Sequence, residues 1–110
     1  MENCIFCKII AGEIPSLRLY EDDDMIIIRD IEPKAKLHYL CIPKLHFPLL
    51  SAEAEKVEAV KKCFAVIPTL KEKLGLQDGY RVVINQGENG GQAVAHLHIH
   101  LLGGEKLKDL

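Results

Sequence analysis

The order of the elements that the sequence predicts indicates an α+β fold: a five-stranded, mainly antiparallel sheet with one long helix and a short N-terminal helix. Two observations carry this prediction. Three strand-like segments precede a single long helical segment, and two more strand-like segments follow it. A parallel sheet would instead need helices that alternate with the strands. The 110 residues also fit one domain, 1–110, with a single core.

The first half of the chain predicts a short helix and three strands. A helix or turn is expected from Ile5 to Gly12, because glycine stops a helix and Pro15 follows shortly after. Alternating or β-branched segments then predict strands at 17–20, 25–29 and 37–42. The acidic run at 21–24 is typical of a polar turn, and Pro43 ends the third strand.

The second half predicts the long helix and two further strands. Apolar residues recur at spacings of three and four over residues 52–74, which is the helical period. The residues that carry this period are Val57, Val60, Phe64, Ile67, Leu70 and Leu74. Ser51 is the expected N-cap and Gly75 the expected C-terminal stop. Pro68 is expected to kink the helix. Strands near 79–85 and 95–102 follow, joined by a glycine-rich loop.

Composition excludes several classes of function. A formal net charge of −2 provides no general basic field for a nucleic-acid backbone. No segment approaches the roughly 18 apolar residues of a membrane span. The first residues lack a signal-peptide pattern, so we expect a cytoplasmic location. Four cysteines in such a chain are expected to stay reduced, with Cys41 and Cys63 as small core residues.

The most informative segment is His96-Leu97-His98-Ile99-His100-Leu101-Leu102. On a strand the three histidines share one face, while the leucine and isoleucine between them point into the core. Three explanations are open: unrelated surface histidines, a three-histidine catalytic metal site, or nucleophilic attack on phosphorus by one imidazole that its neighbours orient. Alternation alone does not decide between the last two.

The loop before this segment favours phosphate chemistry. Residues 85–92, Asn-Gln-Gly-Glu-Asn-Gly-Gly-Gln, contain three glycines within five positions. Glycines let backbone N–H groups approach an anion closely and form a concave binding site. The same loop also fits a hairpin turn, for which Asn89-Gly90 is a strong signal. Both interpretations are compatible, and the loop matches neither common dinucleotide nor nucleoside triphosphate motif.

Taken together, these residues resemble the histidine triad (HIT) family, in particular its purine nucleoside phosphoramidase branch. In the family signature, three histidines are separated by single apolar residues and followed by two further apolar residues. The segment from His96 to Leu102 matches this signature. Further matching segments are Cys4–Pro15, Tyr20–Asp23, Arg29–Ile31, His38, Ile42–His46 and Asn85–Gln92. The resemblance therefore covers nearly the whole chain.

The resemblance implies a hydrolase that acts on AMP or GMP derivatives, such as phosphoramidates. His98 matches the histidine that becomes nucleotidylated, and His100 matches the one that contacts the phosphate and assists the leaving group. His96 and the upstream His38 match supporting catalytic positions. The nucleotide-binding positions are matched by Asp30, Ile31, Asn85, Gly91, Gln92 and Ala93, together with His98 and His100. The family chemistry needs no metal for the reaction step.

The resemblance also implies a homodimer, formed by joining two five-stranded sheets into one of ten strands. Dinucleoside polyphosphate hydrolases and nucleotidyl transferases of the same family are alternatives, because they differ mainly in the leaving group. A non-catalytic nucleotide-binding module is a third possibility. No nucleic acid or membrane partner is expected.

Cys4-x-x-Cys7 has the spacing of metal ligands but provides only half of a tetrahedral site. In several bacterial-type relatives the site is completed by residues that match His46 and His96. The resemblance therefore implies a structural Zn²⁺ held by Cys4, Cys7, His46 and His96. A redox-active thiol pair and two inert reduced cysteines are the alternatives.

Two positions depart from the phosphoramidase pattern. Ala93 stands where that branch has a serine after Gly-Gly-Gln, so one hydroxyl is missing. The tail from Glu105 to Leu110 also lacks the branch's tryptophan-proline segment. These departures leave the nucleophile in place and put the substrate preference in question.

Overall fold

In a computed structural model, which describes residues 3–110, five strands form one sheet in the order β1-β2-β3-β5-β4. In chain order the elements are α1 (Ile5–Ile10), β1 (Arg18–Glu21), β2 (Met25–Arg29), β3 (Leu37–Pro43), α2 (Ala54–Val66), a 3-10 helix (Ile67–Leu70), β4 (Tyr80–Val83) and β5 (Ile99–Gly103). Every neighbouring pair is antiparallel. The predicted fold class is confirmed.

The inner strands β2 and β3 are buried on both faces of the sheet, since successive residues of a strand point to opposite sides and nearly all of theirs are buried. In β2, Met25 and Ile27 belong to one apolar cluster and Ile26 and Ile28 to another. The first cluster includes Cys63 of α2, and we call this side the helix face. The second includes Phe6 of α1, and we call this side the histidine face for reasons given below.

The first half of the chain follows its predictions closely. β2 spans the predicted residues, and β3 is one residue longer because Pro43 still pairs with Met25. The turn between β1 and β2 is held by Asp22, whose carboxylate accepts the N–H groups of Asp24 and Met25 at 2.7 and 3.0 Å. Helix α1 ends at Ile10, and Gly12 has a φ of +83°.

The prediction of a helix over 52–74 is wrong at both ends. Its N-cap is Glu53, while the Ser51 hydroxyl instead accepts the Glu53 N–H at 3.1 Å. The α-helix ends at Val66 and passes into the 3-10 helix, so Pro68 terminates it and does not kink it. Proline has no N–H to continue the α-helical ladder, but it fits the first turn of the new helix. Gly75, with φ at +75°, closes the turn that follows.

The two last strands are shorter than predicted. β4 ends at Val83, and β5 begins at Ile99 and not near Ala95. The segment before β5 forms its backbone hydrogen bonds outside the sheet, since the Leu97 N–H donates to the Phe47 carbonyl at 2.8 Å. His96 and His98 therefore precede the strand. No helix among residues 3–110 has the length and apolar character that crossing a membrane requires.

Candidate active site and metal cluster

The three histidines lie on one side of the sheet even though only His100 belongs to β5. Leu97, Ile99 and Leu101 are fully buried in the cluster of the helix face. His100 pairs with Leu40, a residue of the opposite cluster. The His98 and His100 rings are 4.9 Å apart between centroids. His96 and His98 are 0% and 6% exposed, so the hypothesis of unrelated surface histidines is wrong.

The His98 ring is oriented by the backbone. Its Nδ1 lies 2.7 Å from the main-chain carbonyl oxygen of His96. A carbonyl can only accept a hydrogen bond, so Nδ1 carries the proton. In the neutral ring Nε2 then has a free lone pair, which is the form that a nucleophile needs.

The His100 ring has the opposite arrangement, set by a chain of hydrogen bonds. The Lys34 N–H donates to Nδ1 of His38 at 3.0 Å, so the His38 proton is on Nε2. That Nε2 lies 2.8 Å from Nδ1 of His100 and donates to it. His100 consequently carries its own proton on Nε2.

His38 and His100, the two rings that these hydrogen bonds join, are both neutral at pH 7. Burial, followed by the neighbouring His98 and His38, lowers the pKa of His100 to about 4. Burial also lowers the pKa of His38, partly opposed by the carboxylate of Asp30. The assignment of single protons to these rings therefore holds at neutral pH.

Adjacent imidazoles thus offer complementary groups. The Nδ1 atoms of His98 and His100 are both engaged within the protein. A ligand would therefore meet a lone pair on Nε2 of His98 and an N–H on Nε2 of His100. This combination suits attack on phosphorus with hydrogen-bond stabilisation of a phosphoryl oxygen.

Of the two residues predicted to hold the ribose and base, Asp30 lies beside His38 and His100, and Ile31 follows it in the chain. Asp30 has one carboxylate oxygen 3.5 Å from Nε2 of His38, while the other accepts the Glu32 N–H at 2.8 Å. Ile31 is 93% exposed, which leaves its side chain open to a ligand. An exposed isoleucine next to a carboxylate is compatible with a nucleoside, and the contact remains a prediction.

The predicted phosphate loop is a compact turn that is braced by its own side chains. The amide of Gln92 bonds Gly87 through its oxygen at 2.8 Å and the Pro48 carbonyl through its nitrogen at 2.8 Å. Asn85 donates to the Gly90 carbonyl at 2.7 Å. The N–H groups of Gly90, Gly91 and Gln92 donate to carbonyls inside the loop. Asn85, Gly91 and Gln92 therefore shape the loop, and their contact with phosphate remains a prediction.

Two further positions belong to this region. Gly90 is required sterically, since a Cβ there would lie 2.3 Å from the Gln86 carbonyl oxygen. Ala93 is exposed and lines an open cleft with Val94, Ala95 and two of the predicted zinc ligands, Cys4 and His46. Contact between position 93 and a substrate remains a prediction.

Cys4, Cys7, His46 and His96 converge on one point, as predicted. Nε2 of His96 donates to the Pro43 carbonyl at 2.8 Å, so its Nδ1 lone pair faces the cluster. This Nδ1 lies 3.1 Å from Nδ1 of His46 and 3.3 and 3.6 Å from the sulfurs of Cys4 and Cys7. The Cys7 sulfur is 3.2 Å from Nδ1 of His46.

These distances fit a tetrahedral zinc ion. Ligand atoms at ordinary Zn–N and Zn–S lengths are separated by roughly 3.3–3.8 Å, and the observed cluster is tighter by only a few tenths. Burial and the adjacent Cys4 raise the pKa of the Cys7 thiol to about 11. Without metal this thiol is protonated at pH 7, so zinc binding must release its proton.

The triad histidines do not form one metal site. Among residues 3–110, His96 groups with the two cysteines, whereas His100 groups with Asp30 and His38. His98 belongs to neither group. The three-histidine metal site considered from the sequence is therefore not what the geometry provides.

Comparison with known proteins places this arrangement in a family. A model of the HIT domain matches residues 11–107. The chain belongs to the HIT family. It is 48% identical over 104 residues to protein HitA of Neisseria gonorrhoeae, covering 94% of this chain and 97% of that one. It is 45% identical over 106 residues to a 14 kDa zinc-binding protein of Zea mays, covering 94% of this chain and 83% of that one.

Solved HIT structures share the whole fold. A histidine triad protein from Clostridium difficile superposes with a TM-score of 0.93 at 41% identity, covering 100% of this chain and 97% of that one. A HIT family hydrolase from Legionella pneumophila gives 0.89 at 40% identity, covering 96% of each chain. The chain therefore has the fold of HIT family hydrolases, and its Cys/His cluster suits the zinc site that the family resemblance implied.

Sequence reasoning did not find the groups that orient the rings. The carbonyls of Pro43 and His96 and the N–H of Lys34 are main-chain atoms, for which no side-chain pattern exists. Phe6 was missed as well, although its ring lies 4.9 Å from the His98 ring between centroids. The sequence signal that could have drawn attention to Phe6 was its position between Cys4 and Cys7, two predicted metal ligands.

Proposed function

We propose that this HIT domain, residues 1–110, is a nucleotide hydrolase that cleaves purine nucleoside monophosphate derivatives, phosphoramidates or similar, through a nucleotidyl-His98 intermediate. One observation carries the proposal: the Nδ1 proton of His98 is bound to the His96 carbonyl, which leaves Nε2 as the nucleophile. Membership of the HIT family and the likeness to the Legionella hydrolase support the reaction class.

The proposed reaction has two displacements. Nε2 of His98 forms a bond to the α-phosphorus while the bond to the leaving amine breaks, and the amine takes up a proton from solvent as it departs. The Nε2–H of His100 donates to a phosphoryl oxygen and assists this departure. Water then attacks the phosphorus and releases a proton to solvent, the bond between phosphorus and Nε2 breaks, and the nucleoside monophosphate leaves the neutral His98 ring.

The remaining predicted residues take supporting roles in this proposal. Asp30 holds the ribose and Ile31 flanks the purine, which its 93% exposure permits. The loop of Asn85, Gly91, Gln92 and Ala93 lies on the phosphate side. His38 maintains the proton position on His100.

We assign a structural role to zinc at the Cys4, Cys7, His46 and His96 cluster. Bound there, the ion would tie α1 to the segment before β5 and neutralise the thiolates. The reaction steps above involve only the side chains of His98 and His100.

We also propose that the partner of this chain is a second copy. β4 lies at an edge of the sheet, and Val82 on it is 42% exposed. Val57 and Phe64, seven residues apart and hence on one side of α2, are 48% and 45% exposed. Light scattering after size exclusion should give the mass of two chains, and Phe64→Glu should give that of one. A monomeric wild-type protein would contradict this assembly.

Trapping tests the proposed reaction. The protein is mixed with a slowly cleaved adenosine phosphoramidate, and intact mass is recorded over time. Wild type should gain one adenylyl group, while His98→Ala, with unchanged circular dichroism, should gain none. An adduct that persists in His98→Ala, or hydrolysis that stops when zinc is chelated from a folded protein and never forms an adduct, would overturn the proposal.

Ala93 favours one second candidate, a nucleotide-binding module without turnover, because it lacks the hydroxyl of the related branch. Calorimetry with AMP, beside a panel of phosphoramidates that varies the base and leaving group, separates the two. Binding of AMP, with every phosphoramidate of the panel left uncleaved, would support the nucleotide-binding module without turnover.

A further inference from the structure

The six-residue helix α1 carries an aromatic side chain that contacts the nucleophile. The Phe6 ring is 4.9 Å from the His98 ring between centroids, with planes inclined at 72°. The same ring is 5.8 Å from the His96 ring, at 85°. Both are edge-to-face contacts, and Phe6 itself is only 7% exposed.

This contact supplies a restraint that the hydrogen bond does not. The His96 carbonyl holds Nδ1 of His98 but leaves the ring free to tilt about that bond. An aromatic edge packed against the ring limits the tilt, and therefore both the direction of Nε2 and the alignment of the Nδ1–H with the His96 carbonyl. Near-attack geometry depends on such orientation, since small displacements lower rates strongly.

Polar contacts hold both ends of α1, and the metal cluster provides those at one end. An isolated helix of six residues is unstable in water, so anchors from the rest of the fold must hold α1. At one end, Cys4 accepts the Cys7 N–H through its sulfur, and both sulfurs face His96. At the other end, Arg18 donates to the carbonyls of Ile9 and Ile10 at 2.6 and 3.1 Å.

We propose that Phe6 is a positioning residue for His98, and that the Cys4/Cys7/His46/His96 cluster orients the nucleophile through the Phe6 ring and the His96 carbonyl. The inference rests on the proposed role of His98. In this arrangement metal occupancy sets the geometry of the reacting nitrogen from a distance. Loss of the metal removes one restraint at each end of the contact: the link between the cysteines on either side of Phe6, and the ligand bond at Nδ1 of His96, whose Nε2 keeps its hydrogen bond to Pro43.

The experiment compares zinc-loaded wild type with Phe6→Leu, Phe6→Tyr and Ile9→Ala. Ile9 is the matched control, because it lies on the same helix, in the same cluster, at the same 7% exposure. Three quantities are measured: zinc per chain, the ring-nitrogen chemical shifts of His98 in the free protein, and the single-turnover rate of adduct formation.

Phe6→Leu should bind zinc as wild type does, lose the single Nδ1–H tautomer of His98, and form the adduct roughly 2- to 10-fold more slowly. Phe6→Tyr, which keeps the ring, should restore both the tautomer and the rate. Ile9→Ala should keep both, although it unfolds more easily. Chelation of zinc from folded wild type should change the His98 shifts in the same direction as Phe6→Leu.

Unchanged His98 shifts in Phe6→Leu, or in the zinc-free protein, would overturn the inference. Loss of zinc by Phe6→Leu, or an equal change in Ile9→Ala, would reduce Phe6 to a packing residue and overturn it too. Failure of the proposed reaction is distinguishable, because the shifts are measured without substrate. If no adduct forms in wild type, the His98 ring-nitrogen shifts still decide whether Phe6 orients the His98 ring.

Discussion

The two faces of the sheet differ in chemistry although the same short segment contributes to both. On the helix face, Leu97, Ile99 and Leu101 are fully buried in a cluster of apolar side chains and thiols. On the histidine face, His96, His98 and His100 occupy the intervening positions, each with one ring nitrogen hydrogen-bonded within the protein. Alternation therefore lets one segment of seven residues form the core and the site, so that substitutions on the two faces should have separable effects.

The largest effect on chemistry is expected at His98. His98→Ala removes the nucleophile and should lower turnover by about 10³-fold or more, because the remaining groups only bind and polarise the substrate. Its effect on the free energy of unfolding should be smaller than that of truncating a core leucine, since it removes a polar ring and one hydrogen bond, although the ring is only 6% exposed. Steady-state kinetics beside urea unfolding measure both. Retention of more than a tenth of the activity would contradict the separation of the faces.

Leu101→Ala is the complementary change on the helix face. Leu101 is fully buried and lies in the central part of the sheet, opposite both Tyr39 and Val82. Truncation should cost about 2–5 kcal/mol of unfolding free energy through lost burial and a residual cavity. At a temperature where the variant is folded, kcat should stay within a few fold of wild type. A stable but inactive variant would show that the two faces are not separable.

Acid should lower the free energy of unfolding, because the pKa of His100 on the histidine face differs between the folded and unfolded states. The pKa of His100 is about 4 in the folded state, whereas in an unfolded chain it is about 6.5. Between these values the unfolded chain binds more protons, so the stabilisation is complete above pH 6.5 and is lost as pH falls toward 4. After allowance for solvent screening, about 1–3 kcal/mol should be lost. Urea titrations across this pH range give the free energy of unfolding at each pH. For His100→Gln this free energy should fall less steeply with decreasing pH than for wild type. An equally steep fall would contradict the assignment of the effect to His100.

Ala93→Ser should have the smallest effect. A hydroxyl there adds one hydrogen bond in the cleft beside the loop, worth about 0.5–1.5 kcal/mol. Turnover of phosphoramidates should therefore rise roughly 2- to 10-fold, with no change in unfolding free energy. Competition kinetics with amine and alkoxide leaving groups would detect the change. A fall in turnover would indicate that this chain uses Ala93 to admit a different leaving group.

The sequence predicted what depends on side-chain periodicity. The alternation around His98 was sufficient to place the faces, whereas Cys4-x-x-Cys7 indicated half of the metal cluster and the family resemblance added His46 and His96. It did not predict the end of α2 at Val66 or the start of β5 at Ile99, because these depend on which backbone groups find partners. The ring tautomers were out of reach for the same reason. They follow from the N–H of Lys34 and the carbonyls of Pro43 and His96.

In the hydrogen-bond pattern of the site, the neighbouring imidazoles of His98 and His100 carry their protons on opposite ring nitrogens. Nitrogen-15 NMR of the histidine side chains in the free, zinc-loaded protein at pH 7 measures this directly, because protonated and unprotonated ring nitrogens differ widely in chemical shift. We expect a proton on Nδ1 of His98 and on Nε2 of both His38 and His100. A proton on Nε2 of His98, or on Nδ1 of His100, would contradict it.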